Sequence, residues 1–224
     1  MNSSPSPRVW ATAGPPGFGT DRPGDPRDIL DRFSSLPLRC TPGSTWHYSS
    51  PGYLLTAWII ERVSAQGYAD SLTERVLRPL GTTSTCVGEA PSEPVAHGYR
   101  AGRRVDTAEF AALPGPGDLW STVDDLALHT AAFNAGHLLT PRSREAMTAP
   151  HVPLDGAMAA GGCGYFLGTL TGHAARFHSG DNPVYQSFLA WPPHLDATVA
   201  LLCNDEETHI EALLRQLIPA AMQG

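Results

Sequence analysis

Thr41-Pro-Gly-Ser-Thr-Trp-His-Tyr48-Ser49-Ser50-Pro-Gly-Tyr-Leu-Leu-Thr-Ala-Trp-Ile-Ile-Glu-Arg-Val63 is a loop punctuated by proline and glycine that runs straight into an apolar segment. Leu54, Leu55, Trp58, Ile59 and Val63 recur at helical spacing. A serine hydroxyl can satisfy free N–H groups at a helix start, and proline suits the first helical position, so the pattern predicts a helix opening at Ser50-Pro51 with Ser50 able to cap it. A second helix is expected from about Ala69 to Leu77. It should stop before Pro79-Leu80-Gly81, because proline cannot continue the hydrogen-bond ladder.

Downstream, Ser121-Thr122-Val123-Asp124 reads as a capping box ahead of Leu126, Ala127 and Phe133, with Gly136 as the stop. Thr140-Pro141 opens a further short helix. From Gly164 the pattern changes to short apolar runs divided by turns, at Gly164 to Leu170, Ala174 to His178, Gln186 to Trp191 and Ala197 to Leu202, which read as consecutive antiparallel strands. Ile210, Leu213, Leu214, Leu217 and Ile218 then return to helical spacing, so this last helix should cover one face of the sheet.

Upstream, residues 1–40 are rich in Pro, Gly and Ser and read as mostly loop, with one amphipathic piece at Asp28 to Leu36. The chain therefore divides into a loop-rich segment 1–40, a helical region 41–160, and a sheet with its covering helix at 161–224, the last two forming one structural domain. This is an α+β arrangement. Four short strands and one helix leave a face and two edges bare, so more strands or helices from another segment or chain are expected.

Composition narrows the function. The 224 residues carry a net charge of −7, which removes the basic stripe of a nucleic-acid binder. All 15 basic residues are arginine, so a lysine amine is excluded as base, Schiff-base former or phosphate ligand within this sequence. Cys40, Cys86, Cys163 and Cys203 are scattered without metal-ligand spacing, and no metal or cofactor is expected. No segment has the length and apolarity of a signal peptide or a membrane span. The chain as written thus reads as cytoplasmic, with no membrane partner; an export signal on a further N-terminal segment stays open.

The run from Thr41 to Leu55 with Arg78-Pro79-Leu80-Gly81, then Gly117-Asp-Leu-Trp-Ser-Thr-Val-Asp-Asp-Leu-Ala, Leu138-Leu-Thr-Pro, Gly164-Tyr, Phe177-His178-Ser179-Gly180 and Leu202-Cys203-Asn204, resembles the serine β-lactamase-related family. That family includes class C β-lactamases, D-alanyl-D-alanine carboxypeptidases and esterases. The resemblance implies a β-lactamase/transpeptidase-like fold and acyl transfer from an ester, amide or β-lactam through an acyl-enzyme. In this scheme the serine of a Ser-x-x-Lys motif attacks a carbonyl, with help from the lysine and from the tyrosine of a Tyr-x-Asn motif.

The resemblance places the tyrosine motif on Tyr48-Ser49-Ser50 and a third motif on His178-Ser179-Gly180. It makes Tyr48 the proton carrier and Ser50, His178, Ser179, Gly180 and Asp181 the substrate-binding side. Ser-x-x-Lys is absent, so no nucleophile is assigned. The sequence reads as a family member lacking the N-terminal strands and nucleophile helix, with a separate complementing chain or a homo-oligomer as possible partner beside the small acyl substrate. A non-catalytic relative that keeps the pocket for binding is the other reading.

A free phenol ionises near pH 10, so Tyr48 needs a close cation, from an arginine, from His178 or from another chain. Ser50 replaces the family's Asn and is equally explained as a helix cap. Histidines in strands are commonly packing residues, but His178-Ser179-Gly180 stands where the third motif is expected, with His178 orienting substrate or tuning the site's charge. An oxyanion donor is expected near Asp181, where a carboxylate disfavours negative charge and Pro183 lacks an N–H.

Overall fold

The computed structural model describes residues 28, 31, 33–37, 40, 41, 43, 44, 46–91, 95–106, 114–153, 158–161, 163–170, 172–193 and 197–221. The loop reading of 1–40 falls largely outside these; within it Asp28, Asp31, Phe33 and Ser34 are helical.

Helix α1 spans Ser50–Ser64 and follows the predicted period, but its cap is Ser49, one residue earlier than expected. The Ser49 hydroxyl accepts the Gly52 N–H at 3.0 Å while Ser50 and Pro51 occupy the first turn. The second helical stretch runs through the proline that was expected to end it. Tyr68–Leu72 (α2) passes through a π-helical turn at Thr73–Leu77 into Arg78–Leu80 (α3), and the stop is Gly81 in the left-handed conformation, φ 71°. The wider π turn resets the ladder just ahead of Pro79, which then lies in a first turn, where a missing N–H costs little.

A two-stranded ribbon joins β1 (Cys86–Val87) to β4 (Leu119–Trp120), and the hairpin of β2 (Gly98–Arg100) and β3 (Arg103–Val105) lies between them in sequence. Helix α4 (Val123–Ala135) is capped by Thr122, whose hydroxyl accepts the Asp125 N–H at 3.2 Å. The capping box is thus one residue later than read, and it is not reciprocal. The buried Asp125 carboxylate instead accepts from Ser84 N at 2.9 Å and Thr85 Oγ1 at 2.7 Å, tying α4 to the approach to β1. Gly136 ends α4 with φ 80°, as expected, and Thr140-Pro141 opens α5 (Pro141–Thr148).

The main sheet has six antiparallel strands in the order β10-β9-β8-β7-β6-β5. Four coincide with the predicted runs: β7 (Phe166–Leu170), β8 (His173–Asn182), β9 (Tyr185–Trp191) and β10 (Val199–Cys203). The extra strands that the small sheet required come from this chain, β5 (Val152–Pro153) and β6 (Met158–Gly161). The C-terminal helix α6 (Ile210–Ala221) covers one face, as predicted. Phe188, Ala190 and Ile218 form the buried centre, with Phe177, Leu201, Ile210 and Leu214 packed on it. Each large side chain buried there contributes on the order of 1.5–3 kcal/mol.

The opposite end of the packing is open. Leu55, Trp58, Ile59 and Val63 on α1 are 40%, 39%, 52% and 83% exposed. No helix among the described residues is long and apolar enough to cross a membrane.

Candidate active site

The cleft of interest forms where the loop entering α1 meets the middle of the main sheet. It holds about 190 Å³ and is walled by Trp46 to Ser49, by Gly52, Tyr53 and Thr56 on α1, by Gly164 to Phe166, and by His178 on β8. The Ser49 cap fixes how the chain enters α1 and so where Tyr48 points. Aromatic contacts then join the two walls. The Tyr48 and His178 rings lie 6.3 Å apart at 43°, Phe166 stacks on His178 at 5.2 Å and 17°, and Trp46 meets Phe166 edge-on at 5.5 Å.

Strand β8 reaches the cleft with an edge that no strand among the described residues pairs. Its pairing with β7 ends at Phe177, whereas its pairing with β9 continues to Asn182. The two-residue connection Pro183-Val184 makes Asn182 and Tyr185 the bonded pair that closes the hairpin. Counting back in twos, Gly180 and His178 turn their peptide groups toward β9, and Ser179 and Asp181 turn theirs toward the side that β7 has vacated. Among the described residues no strand pairs with the Asp181 N–H, which faces a ligand position at the strand edge. A Cβ on Gly180 would fall 2.3 Å from Ser187 Oγ, so glycine here also suits the pairing with β9.

The hairpin tip is clamped from outside. Asn182 Nδ2 donates to the Gly117 carbonyl at 3.2 Å and Tyr185 Oη to the Ala96 carbonyl at 2.7 Å. Val184 at the turn is fully buried with φ 58°, a left-handed conformation that is uncommon for a β-branched residue. It sits against Gly98, where an added Cβ would lie 2.2 Å from Val184 Cγ2 and 2.9 Å from its Cβ.

The electrostatics depart from the sequence reading in one respect. Burial lowers the His178 pKa, with a hydrogen bond donated by its ring to the Ser179 backbone carbonyl acting the other way. A lowered imidazole is neutral at neutral pH, so His178 does not supply the cation that a Tyr48 phenolate would need. Burial raises Asp181, and the negative charge of Glu206 adds to this, so the carboxyl that would oppose an oxyanion gives up its proton less readily.

Tyr48 and His178 thus share the cleft, and Ser179 to Asp181 form its strand edge. Ser50 stands on the first turn of α1, outside the cleft wall, while Ser49 lines it. Sequence reasoning missed Tyr53, Trp46 and Phe166. Burial raises Tyr53, as do the neighbouring Cys163 and Tyr48, against a backbone hydrogen bond at Gly164. Its signal was the Pro-Gly-Tyr that opens α1, four residues beyond Ser49. All four cysteines are free, and no cluster of His, Cys, Asp or Glu that could hold a metal occurs among the described residues.

Residues 10–222 match the Beta-lactamase family model. Human beta-lactamase-like 1 is 28% identical over 163 residues, 70% of this chain and 31% of that protein. Penicillin-binding protein 4* of Bacillus subtilis (strain 168) is 25% identical over 207 residues, 83% of this chain and 46% of that protein. The chain therefore spans less than half the length of these relatives. Among solved structures, the D-amino acid amidase of Ochrobactrum anthropi SV3 superposes with a TM-score of 0.76 at 22% identity, covering 92% of this chain and 65% of that one. The octameric penicillin-binding protein homologue of Pyrococcus abyssi gives 0.73 at 23% identity, covering 85% and 48%. The fold is that of these proteins.

Proposed function

We propose, from the premise that this chain belongs to the beta-lactamase family, that it provides one part of a serine acyl-transfer site acting on a small ester, amide or β-lactam. Tyr48 carries the proton between nucleophile and leaving group. His178 and Ser179 line the opposite wall, Gly180 lets β8 approach β9, and the Asp181 N–H donates to the oxyanion. The attacking serine and its amine helper come from a Ser-x-x-Lys outside these 224 residues, since the sequence contains no lysine.

The observation that carries this reading is the meeting of Tyr48 and His178, far apart in sequence, at 6.3 Å across one cleft beside a strand edge that no described strand pairs. That the relatives include a penicillin-binding protein and an amidase supports the hydrolase class without choosing a substrate.

A second reading, a non-catalytic relative that keeps the cleft for binding, is favoured by Asp181-Asn182-Pro183 at the oxyanion edge; the absence of lysine counts equally for both readings. Intact-mass measurement with a fluorophosphonate and a penicillin separates the two. The 224-residue chain alone gains no adduct under either. Co-expressed with a polypeptide carrying Ser-x-x-Lys, the first reading requires an adduct on that serine. In that complex Tyr48→Phe should lower kcat/KM by about 10²- to 10⁴-fold. Stoichiometric labelling of any serine in the isolated chain overturns the assignment.

A further inference from the structure

The two walls of the cleft, α1 and β8, are also joined by a turn none of whose residues lines it. The turn runs from Pro114 to Asp118 and leads into β4. At one end Gly115, with φ 95°, lies against α1: a Cβ there would fall 2.6 Å from the Tyr53 carbonyl oxygen and 3.3 Å from Ala57 Cβ. At the other end the Gly117 carbonyl accepts from Asn182 Nδ2 at 3.2 Å, at the tip of the β8–β9 hairpin. Tyr53 lines the cleft, and Asn182 directly follows Asp181.

Asp118 closes this turn. Its side chain is buried, and Oδ1 accepts the Gly115 N–H at 3.0 Å. Its backbone carbonyl accepts the Gly88 N–H at 2.8 Å. Two residues on, Trp120 donates its indole N–H to the Gly88 carbonyl at 3.1 Å and meets the Tyr185 ring edge-on at 5.4 Å. The turn is thus tied to the end of β1, to α1 and to the hairpin together. Burial raises the Asp118 carboxyl, against hydrogen bonds from the Gly115 and Asp118 N–H groups. A buried carboxylate is costly and an apolar side chain would pack at less expense, so what the carboxylate adds is a fixed shape for residues 115–118.

We infer that Asp118 is a positioning residue for the cleft: by holding Gly115 against Tyr53 and Gly117 against Asn182, it sets the separation between the Tyr48 wall and the Asp181 strand edge. The consequence for turnover rests on the acyl-transfer reading, whereas the consequence for geometry does not. Acyl transfer needs the proton carrier and the oxyanion donor aimed at one carbonyl, and a misplacement of about 1 Å costs about 10²-fold in rate.

The geometric arm is read in the 224-residue chain by NMR, with ring-labelled tyrosine and histidine, as the nuclear Overhauser signal between Tyr48 and His178, whose rings lie 6.3 Å apart. Asp118→Ala should abolish the signal. Asp118→Asn keeps an oxygen acceptor for Gly115 and should retain it. Asn182→Ala should weaken it, and adding Asn182→Ala to Asp118→Ala should change nothing more, because both break one link. Ile218→Val thins the core on the α6 side, lowers stability and should leave the signal as in wild type. Should Asp118→Ala fail to fold, the contrast of Asp118→Asn with Asn182→Ala decides. The kinetic arm uses the chain complemented by the Ser-x-x-Lys polypeptide: Asp118→Ala should lower kcat about 10²-fold with KM little changed, and Asp118→Asn should recover most of it.

A signal that is absent in wild type, persists in Asp118→Ala or Asn182→Ala, or is lost equally in Ile218→Val overturns the positioning role. So does additive weakening in the double variant. The expected signal changes in a complex that is never acylated keep the positioning role and remove the acyl-transfer reading. Acylation with kcat indifferent to Asp118→Ala does the reverse.

Discussion

Gly98→Ala tests whether the β8–β9 hairpin is held by close contact at its tip. The new Cβ would fall 2.2 Å from Val184 Cγ2, and rotating Val184 about its own side-chain bond gives no relief because Val184 Cβ itself lies at 2.9 Å. Backbone adjustment is the remaining route. It is resisted by the buried, left-handed Val184 and by the Asn182 and Tyr185 side-chain bonds to Gly117 and Ala96. Overpacking of this kind costs about 1–3 kcal/mol. At about 2 kcal/mol, a chain of this size loses roughly 4–8 °C of thermal midpoint, readable by circular dichroism and by urea unfolding. Val184→Gly removes the obstructing atoms, so the double variant should fall close to Val184→Gly alone rather than to the sum of the two single changes. A change within about 0.5 kcal/mol for Gly98→Ala, or simple additivity in the double variant, refutes the clamp.

The same structure fixes three other outcomes. Burial lowers both His178 and His129 below the unfolded value of about 6.5, so below that pH the unfolded chain binds more protons; stability should fall as pH drops through 6.5, and His178→Gln should flatten part of that slope in urea titrations. Ser49→Ala removes the acceptor for Gly52 N–H and should cost about 1 kcal/mol in denaturant unfolding, whereas Ser50→Ala should cost less; the reverse order would return the cap to Ser50. The open face of Leu55, Trp58, Ile59 and Val63 should cause concentration-dependent association in light scattering, reduced by Ile59→Glu, and a clean monomer across the range would contradict it.

Period and punctuation carried the reading of the fold where side-chain pattern and burial agree. Leu54 and Ala57 are both 3% exposed on α1, and Ile210, Leu214 and Ile218 present one stripe of α6 to the sheet. The errors have local causes. Ser49 and Ser50 have the same chemistry, so composition cannot say which one caps; backbone geometry chooses Ser49. Pro79 lies within a helical stretch because a π turn precedes it, a device without a sequence signature. Strands β5 and β6 escaped notice because Val152-Pro153 contains a residue poor in sheets and Met-Ala-Ala-Gly at 158–161 does not alternate. Strand β8 ran on to Asn182 because its turn uses Val184 where glycine or asparagine would have announced a positive φ.

The site was legible only through motif resemblance, and the structure explains why. Tyr48, Trp46, Tyr53 and Phe166 are aromatic residues of the kind that fill cores, and His178 sits in a strand; only their convergence separates them from packing. That convergence also limits what Tyr48 can do within this chain. A phenol that takes a proton near neutrality needs a cation beside it. The histidine whose ring meets Tyr48 is held neutral by burial. The next basic group along β8, Arg176, is already stacked on Trp191. In the acyl-transfer reading, the charge that readies Tyr48 therefore arrives with the lysine of Ser-x-x-Lys. On that reading nucleophile and base are readied by the same segment, and the 224 residues contribute the shaped cleft to which it is added.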